Sequence, residues 1–362
     1  MLYNVSGNKK GALIMKDVSI HEIARLCGVS AMTVSRALDP VMRSKVREKT
    51  RTRILEACDR HHFYPKFSAR SLASGKTNSI GLFLALEALG SSPTLSLFVK
   101  FLVEELKKSN YTVSILPISG GDPETTDKEI MRTFLSCRVD GFVLMACHIG
   151  EMALGEIKKR NFPTATFMMP SEIQTCIAPM NRVSIDNSSA FGELFEHLHG
   201  RKIAMVGIEG AHNTRRSEWL EVIQKQDTGV SKKDFFMSPY EEYKKIGETL
   251  AAYRLVHNEW KRMKRYDAFI AMNDHIAIGL REAFRDKGIS HAAVAGFDDI
   301  EGYLRLSGDE PEITTISPPF REFGAVCANM ILAQIADPEL PMREIVIKSK
   351  LIIRKSTLTK GT

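Results

Sequence analysis

Arg36 carries the most accessible chemistry in the segment VSAMTVSRAL, residues 29–38, because its neighbours put it on the outside of a short capped helix. Ser30 stands where a helix N-cap belongs. Val34, Ala37 and Leu38 then repeat at the i, i+3, i+4 spacing of a buried stripe, which turns Ala31, Met32, Ser35 and Arg36 outward. A second element must hold this helix in place. Just upstream, SIHE (19–22) is a capping box, Ile20, Ile23, Ala24 and Cys27 follow at helical spacing, and Gly28 supplies the positive φ of a tight turn. Two short helices joined by a glycine turn form a helix-turn-helix, whose second helix enters the DNA major groove with its N-terminal part against base edges. A third helical segment, about Lys45 to His61, offers Val46, Ile54, Leu55 and Cys58 to cover the back of the pair.

Other reactive side chains are badly spaced for catalysis. Asp298 and Asp299 are adjacent, so at a strand end they point to opposite sides and make a poor carboxylate pair. His61 and His62 read as solvated or phosphate-facing. The six cysteines, at 27, 58, 137, 147, 176 and 327, show no CxxC and no metal-site spacing, and read as buried thiols. SGKT (74–77) echoes a phosphate loop, but that motif needs glycine at position 70, where Arg70 stands. No metalloprotease helix or nucleophile elbow is present. Neither an enzyme nor a resident cofactor or metal is expected.

Charge is unevenly placed. Residues 1–76 hold fifteen Lys/Arg against six Asp/Glu, whereas the whole chain of 362 residues has 50 against 43. A basic head on a near-neutral body is the footprint of a nucleic-acid-binding module attached to something else. At 44% apolar and 26% charged the composition is that of a soluble globular protein of two or three domains. The longest apolar runs, such as GFVLMAC (141–147), fall far short of the roughly 20 residues a membrane span needs. The N-terminal residues have no secretory pattern. A cytoplasmic location is therefore expected.

SIHEIARLCGVSAMTVSRAL is similar to the N-terminal signature of the LacI/GalR family of bacterial transcription regulators. VREKTRTRILEACDRHHFYPKFSARSLASGKTNSIGL continues the likeness through the family's third helix, Tyr-x-Pro turn, hinge helix and first body strand. The loop 39–45 is about two residues longer than usual, and 15 residues precede KDVSIHEIA, near which family members usually begin, so Met15 is a candidate start beside Met1. The resemblance implies that Ala31, Met32 and Arg36 are the base readers. Arg36 would bond guanine O6 and N7, and the two apolar side chains would meet thymine methyls. For Met32 the alternative is a packing role. Ser19, Ser30, Thr33 and Ser35 are candidates for phosphate contacts. The resemblance also implies a hinge helix at 66–77 that forms on DNA, with Leu72 wedged into a central minor-groove step beside Ala69.

From Ser79 onward, apolar runs alternate with amphipathic segments, as in βα units of parallel sheets, and the pattern begins afresh at RVSID (182–186). VSIDNSSAFGELFEHLHGRKIAMVG, YDAFIAMNDHIAIGLREAFRDKG, VAGFDDI and LIIRKST resemble the family's body segments. The expected architecture is a small all-α helix-turn-helix head plus an α/β periplasmic-binding-protein-like body of two doubly wound parallel-sheet subdomains. Expected boundaries are 17–65 for the head, 66–77 for the hinge and 78–357 for the body. Within the body the first subdomain is expected at 78–179 and 317–341, the second at 180–316 and 342–357.

By resemblance the effector residues are Arg215, Trp219, Asn273 and Asp298, although the family's glycine before the aromatic is Glu218 here and its usual acid is Met168. The alternatives are a structural salt bridge for Arg215 and a turn cap for Asp298. The reading is a homodimeric repressor, less often activator, on a near-palindromic double-stranded DNA operator. A small-molecule effector, such as a sugar or related metabolite, would control it. The rival reading is a DNA-binding regulator that answers to a protein partner.

Overall fold

The computed structural model describes residues 18–39, 42–64, 75–85, 93–118, 123–136, 139–145, 149–167, 180–210, 213–226, 228–304 and 310–358. The chain divides into a compact unit at 1–77 and another at 78–362.

In the first unit, α1 (Ile20–Leu26), α2 (Ala31–Leu38) and α3 (Glu48–Arg60) enclose a small core. Ile23, Val34 and Ile54 are fully buried at its centre. Cys27, Ala37 and Cys58 fill the remaining space, and Phe63, just past the third helix, closes it. Gly28 sits at φ +55°, as the turn between α1 and α2 requires. The third helix begins at Glu48 and not at Lys45, because Arg43–Lys45 forms a separate 3-10 turn. Leu55, expected to cover the pair, is 40% exposed, since Ile54 and Cys58 already define the buried stripe.

The second unit contains two six-stranded sheets. The chain runs through β1 (Ser79–Ala85), α4 (Pro93–Lys108), β2 (Thr112–Ile118), α5 (Pro123–Leu135), β3 (Gly141–Met145), α6 (Glu151–Lys159), β4 (Thr164–Phe167) and β5 (Asn181–Asp186). It passes to the second sheet through α7 (Ser188–His197), β6 (Ile203–Ile208), α8 (Asn213–Lys225), β7 (Phe235–Ser238), α9 (Tyr240–Ile246) and α10 (Glu248–Met263). That half continues with β8 (Ala268–Ala271), α11 (Asp274–Asp286), β9 (Ala293–Phe297), α12 (Ile300–Leu304) and β10 (Thr314–Ser317). The chain then returns with α13 (Phe320–Ala336) and β11 (Glu344–Lys348) and ends in β12 (Lys350–Ile352). The strand orders are β11-β5-β4-β3-β1-β2 and β12-β10-β9-β8-β6-β7. All pairs are parallel except β10 with β12. Strands buried on both faces read as continuous apolar runs, as GFVLM and AFIA do here.

Two expected subdomain boundaries move. Residues 181–186 and 344–348, assigned from sequence to the second half, are β5 and β11 of the first sheet. Periodicity identifies a strand but not its partner. Here β5 pairs with β4 in the register Phe167↔Val183 and with β11 in the register Val183↔Ile345, an arrangement reinforced by Arg182 donating to Glu344. The chain therefore crosses between halves at 186–187, at 317–319 and at 349. Residues 240–263 form two helices, α9 and α10, separated at Gly247, whose φ of +80° no helix accommodates. β7 is four residues long and was not legible as a strand.

Candidate functional site

Two sets of residues have functional geometry, one in each unit. In the head, Ser30 Oγ accepts from the Thr33 amide at 3.1 Å, which fixes where α2 begins. Ser19 does the same for α1 through the Glu22 amide at 3.2 Å. With Val34 and Ala37 buried, Met32 is 63% exposed, and Ser35 and Arg36 are exposed beside it. Met32 is thus not a packing residue of the head. Ala31 differs from the outward expectation, because it is half-buried against the head core. The hydroxyls of Ser30 and Thr33 lie 2.9 Å apart at the N-terminus of α2, where backbone amides also project. Ala69 and Leu72 lie outside the described residues, as does Met168.

In the body, Arg215 stands in the first turn of α8, at the C-terminal end of β6. Its guanidinium donates to the Met272 carbonyl and to Asp298, at 2.9 Å to Oδ1 and 3.4 Å to Oδ2. It lies 3.6 Å over the Phe297 ring. Both members are desolvated, with side chains 14% and 7% exposed. Asn273 caps α11 by accepting from the Ile276 amide at 2.9 Å, and its Nδ2 donates to Glu248 at 2.8 Å. Arg215, Asn273 and Asp298 therefore converge at the C-terminal ends of β6, β8 and β9, where open α/β sheets bind ligands. Of the two readings open for Arg215 and Asp298, the salt bridge is present.

Trp219 departs from its expected place. It is fully buried in the second core and edge-on to Phe191, with no acceptor for Nε1 among the described residues. Position 219 faces the sheet because it lies one turn beyond Arg215, on the stripe of α8 that also carries Val222. Sequence reasoning missed several groups around the pair. Phe297 immediately precedes Asp298 and supplies the stacking face. Asp274 is fully buried, accepting from Thr315 Oγ1 and the Ile300 amide, both at 2.8 Å. Burial first, and the Asp298 charge second, push its carboxyl well above the usual range. Asp298 and Asp299 take φ of +101° and +52°, a strained turn for non-glycine residues. Each aspartate is held by its own arginine, Asp298 by Arg215 and Asp299 by Arg354 Nη2 at 2.6 Å.

Each unit matches known proteins. Residues 19–66 match the family described as bacterial regulatory proteins, lacI family, and residues 193–357 match the periplasmic binding protein-like domain. The chain thus joins a LacI-family DNA-binding domain to a periplasmic binding protein-like domain. The chain is 25% identical to the HTH-type transcriptional regulator RegA of Clostridium saccharobutylicum, over 94% of this chain and 99% of that protein. Its fold resembles that of the lac repressor dimer bound to operator and the anti-inducer ONPF, with a TM-score of 0.72 and 18% identity, covering 95% and 100% of the two chains. A LacI family regulator from Enterococcus faecium with bound ribose aligns with a TM-score of 0.61 and 19% identity, over 78% of this chain and 100% of that one.

Among the described residues, no group of three or more His, Cys, Asp or Glu is placed to hold a metal, and no helix is long and apolar enough to cross a membrane. Cys27, Cys58 and Cys327 are free buried thiols; Cys137, Cys147 and Cys176 lie outside the described residues.

Proposed function

We propose that this LacI-family chain is a cytoplasmic, homodimeric transcriptional repressor that binds a near-palindromic operator and is released or engaged by a small polar effector. One observation carries the reading. The helix-turn-helix buries Val34 and Ala37 of α2 and turns Met32 and Arg36 to solvent, on a basic unit joined to a two-sheet body with convergent polar groups. Arg36 reads guanine through its donor fork, Met32 contacts thymine methyls, and Ala31 contributes at the rim of the same surface. Ser19, Ser30, Thr33 and Ser35 set register on phosphates. Leu72, with Ala69 beside it, is the minor-groove wedge. Few base contacts per head make a single head a weak binder, so dimerisation is required. Exposed Val103 on α4 and Ile115 on the edge strand β2 provide apolar surface for it.

The effector site is the cleft around Arg215, Asn273 and Asp298. The ribose-bound neighbour and the hydrogen-bonding character of these groups favour a sugar or a related metabolite. The closed Arg215–Asp298 pair also favours a second reading, in which the cleft is a fixed structural element and a protein partner controls the head. Selection of duplexes from a randomised pool by the full-length protein, at a stated salt concentration, tests the main function. A palindrome with a flexible central step is expected. Enrichment of no sequence would overturn operator recognition by this chain alone.

A further inference from the structure

The three segments that join the halves of the body are each gripped by side chains adjacent to the cleft ion pair. Asp186 ends β5 and Asn187 follows it on the first crossing. Asn187 Nδ2 donates to Glu218 Oε2 at 2.8 Å, and Glu218 lies one helical turn beyond Arg215 on α8. The same Asn187 accepts through Oδ1 from Ser349 Oγ at 2.7 Å, and the Ser349 amide donates to the Asp186 carbonyl at 3.1 Å. Ser349 is the residue between β11 and β12, on the last crossing. Both Asn187 and Ser349 are buried, so their polar atoms depend on these bonds. Glu218 thus holds two crossings through one short chain.

The middle crossing, 317–319, is held from the other member of the pair. Asp299, next to Asp298, accepts from Ser317 Oγ at 3.0 Å. One turn of α12 later, Tyr303 Oη donates to the Pro318 carbonyl at 2.8 Å. The Tyr303 ring packs against Phe320 of α13 and Phe101 of α4, at 5.4 and 6.3 Å between centroids. A second-half residue therefore packs, partly buried, against the first half's core.

The geometry points to a two-armed coupling in which the Arg215–Asp298 pair sets the tension of all three crossings. One arm runs through Glu218 to Asn187 and Ser349, the other through Asp299 and Tyr303 to Ser317 and Pro318. The pair holds the strained turn at 298–299 and the first turn of α8 together. Opening it leaves the turn held by Arg354 and Thr315 without Arg215, which loosens Asp299 on Ser317, and lets α8 move with Glu218. A ligand that takes either partner would thereby loosen the hinge as a unit. The inference rests on the cleft assigned above and is independent of whether the head reads DNA.

The test is hydrogen exchange of the full chain followed by mass spectrometry, with no ligand or DNA, so its failure is distinct from failure of the proposed function. Asp298→Ala is expected to speed exchange by about tenfold in peptides covering 184–191, 314–323 and 345–352 together. Glu218→Ala should speed the first and third alone, and Glu218→Gln, which keeps a carbonyl acceptor for Asn187, should restore them. Tyr303→Phe should affect the middle segment alone. Should Asp298→Ala fail to fold, Arg215→Met opens the same pair. Acceleration confined to 314–323 in the pair variant, or unchanged exchange at 184–191 in Glu218→Ala, overturns the coupling.

Discussion

The head and the cleft use arginine in opposite ways. Arg36 projects from α2 into solvent, and the residues that fix it in place, Val34 and Ala37, do so by packing alone. Arg215 is enclosed by the Met272 carbonyl, the Asp298 carboxylate and the Phe297 ring before any ligand arrives. A nucleic acid brings its own dense charge and can engage an exposed, hydrated guanidinium. A small ligand cannot supply as much, so a cleft arginine must be kept desolvated and oriented, which requires an internal counter-ion. The cost is that a ligand at the proposed effector site would have to compete with Asp298, and that competition would let binding do work on the hinge.

Breaking the cleft pair should have the larger effect on stability. Asp298→Ala leaves a buried guanidinium uncompensated and is expected to destabilise the body by about 3–5 kcal/mol, read from urea unfolding. A loss below about 1 kcal/mol would place Arg215 in effectively aqueous surroundings and remove the contrast with the head. Arg36→Ala should instead leave the unfolding curve nearly unchanged. Its effect appears in the selected operator, where preference at one base position per half-site should weaken by about 1–3 kcal/mol. An unchanged base profile would show that Arg36 contacts only phosphates.

The same contrast explains what the sequence disclosed. Local periodicity settles an outward-facing helix, so the exposure of Met32 and Arg36 followed from Val34, Ala37 and the Ser30 cap. The family signature led to Arg215, Asn273 and Asp298 as a group. What the spacing could not disclose was pairing across the fold. β5 and β11 joined the first sheet through partners more than a hundred residues apart in one case, and nothing local at 181–186 distinguishes the two sheets. The resemblance implies a cleft position for Trp219, while the stripe it shares with Val222 turns it into the core. Glu218 stood out as a departure from the family's glycine, but its role depends on Asn187 and Ser349, two crossings that only the folded chain brings together.

Glu218 also offers the gentlest way to separate the two regions, by pH. Burial pushes its carboxyl above the ordinary glutamate value, while the Asn187 hydrogen bond and the Arg215 charge pull it back, and Asp186 and Glu221 add to the rise. A carboxyl whose folded value exceeds its unfolded one binds its proton more tightly in the native state. Its contribution to stability therefore falls as pH rises from the ordinary glutamate range through the raised folded value, and is constant above that. Glu218→Gln removes this dependence and preserves the bond to Asn187. The variant should gain on the wild type as pH increases from about 4 and then hold a constant advantage at neutral pH, measured as the difference in melting temperature. Taking the difference cancels the parallel dependence from Asp274, which burial raises in the same direction. A difference that is flat across this range would mean that Glu218 is solvated, as Arg36 is, and that the first arm of the hinge is not part of the desolvated cleft.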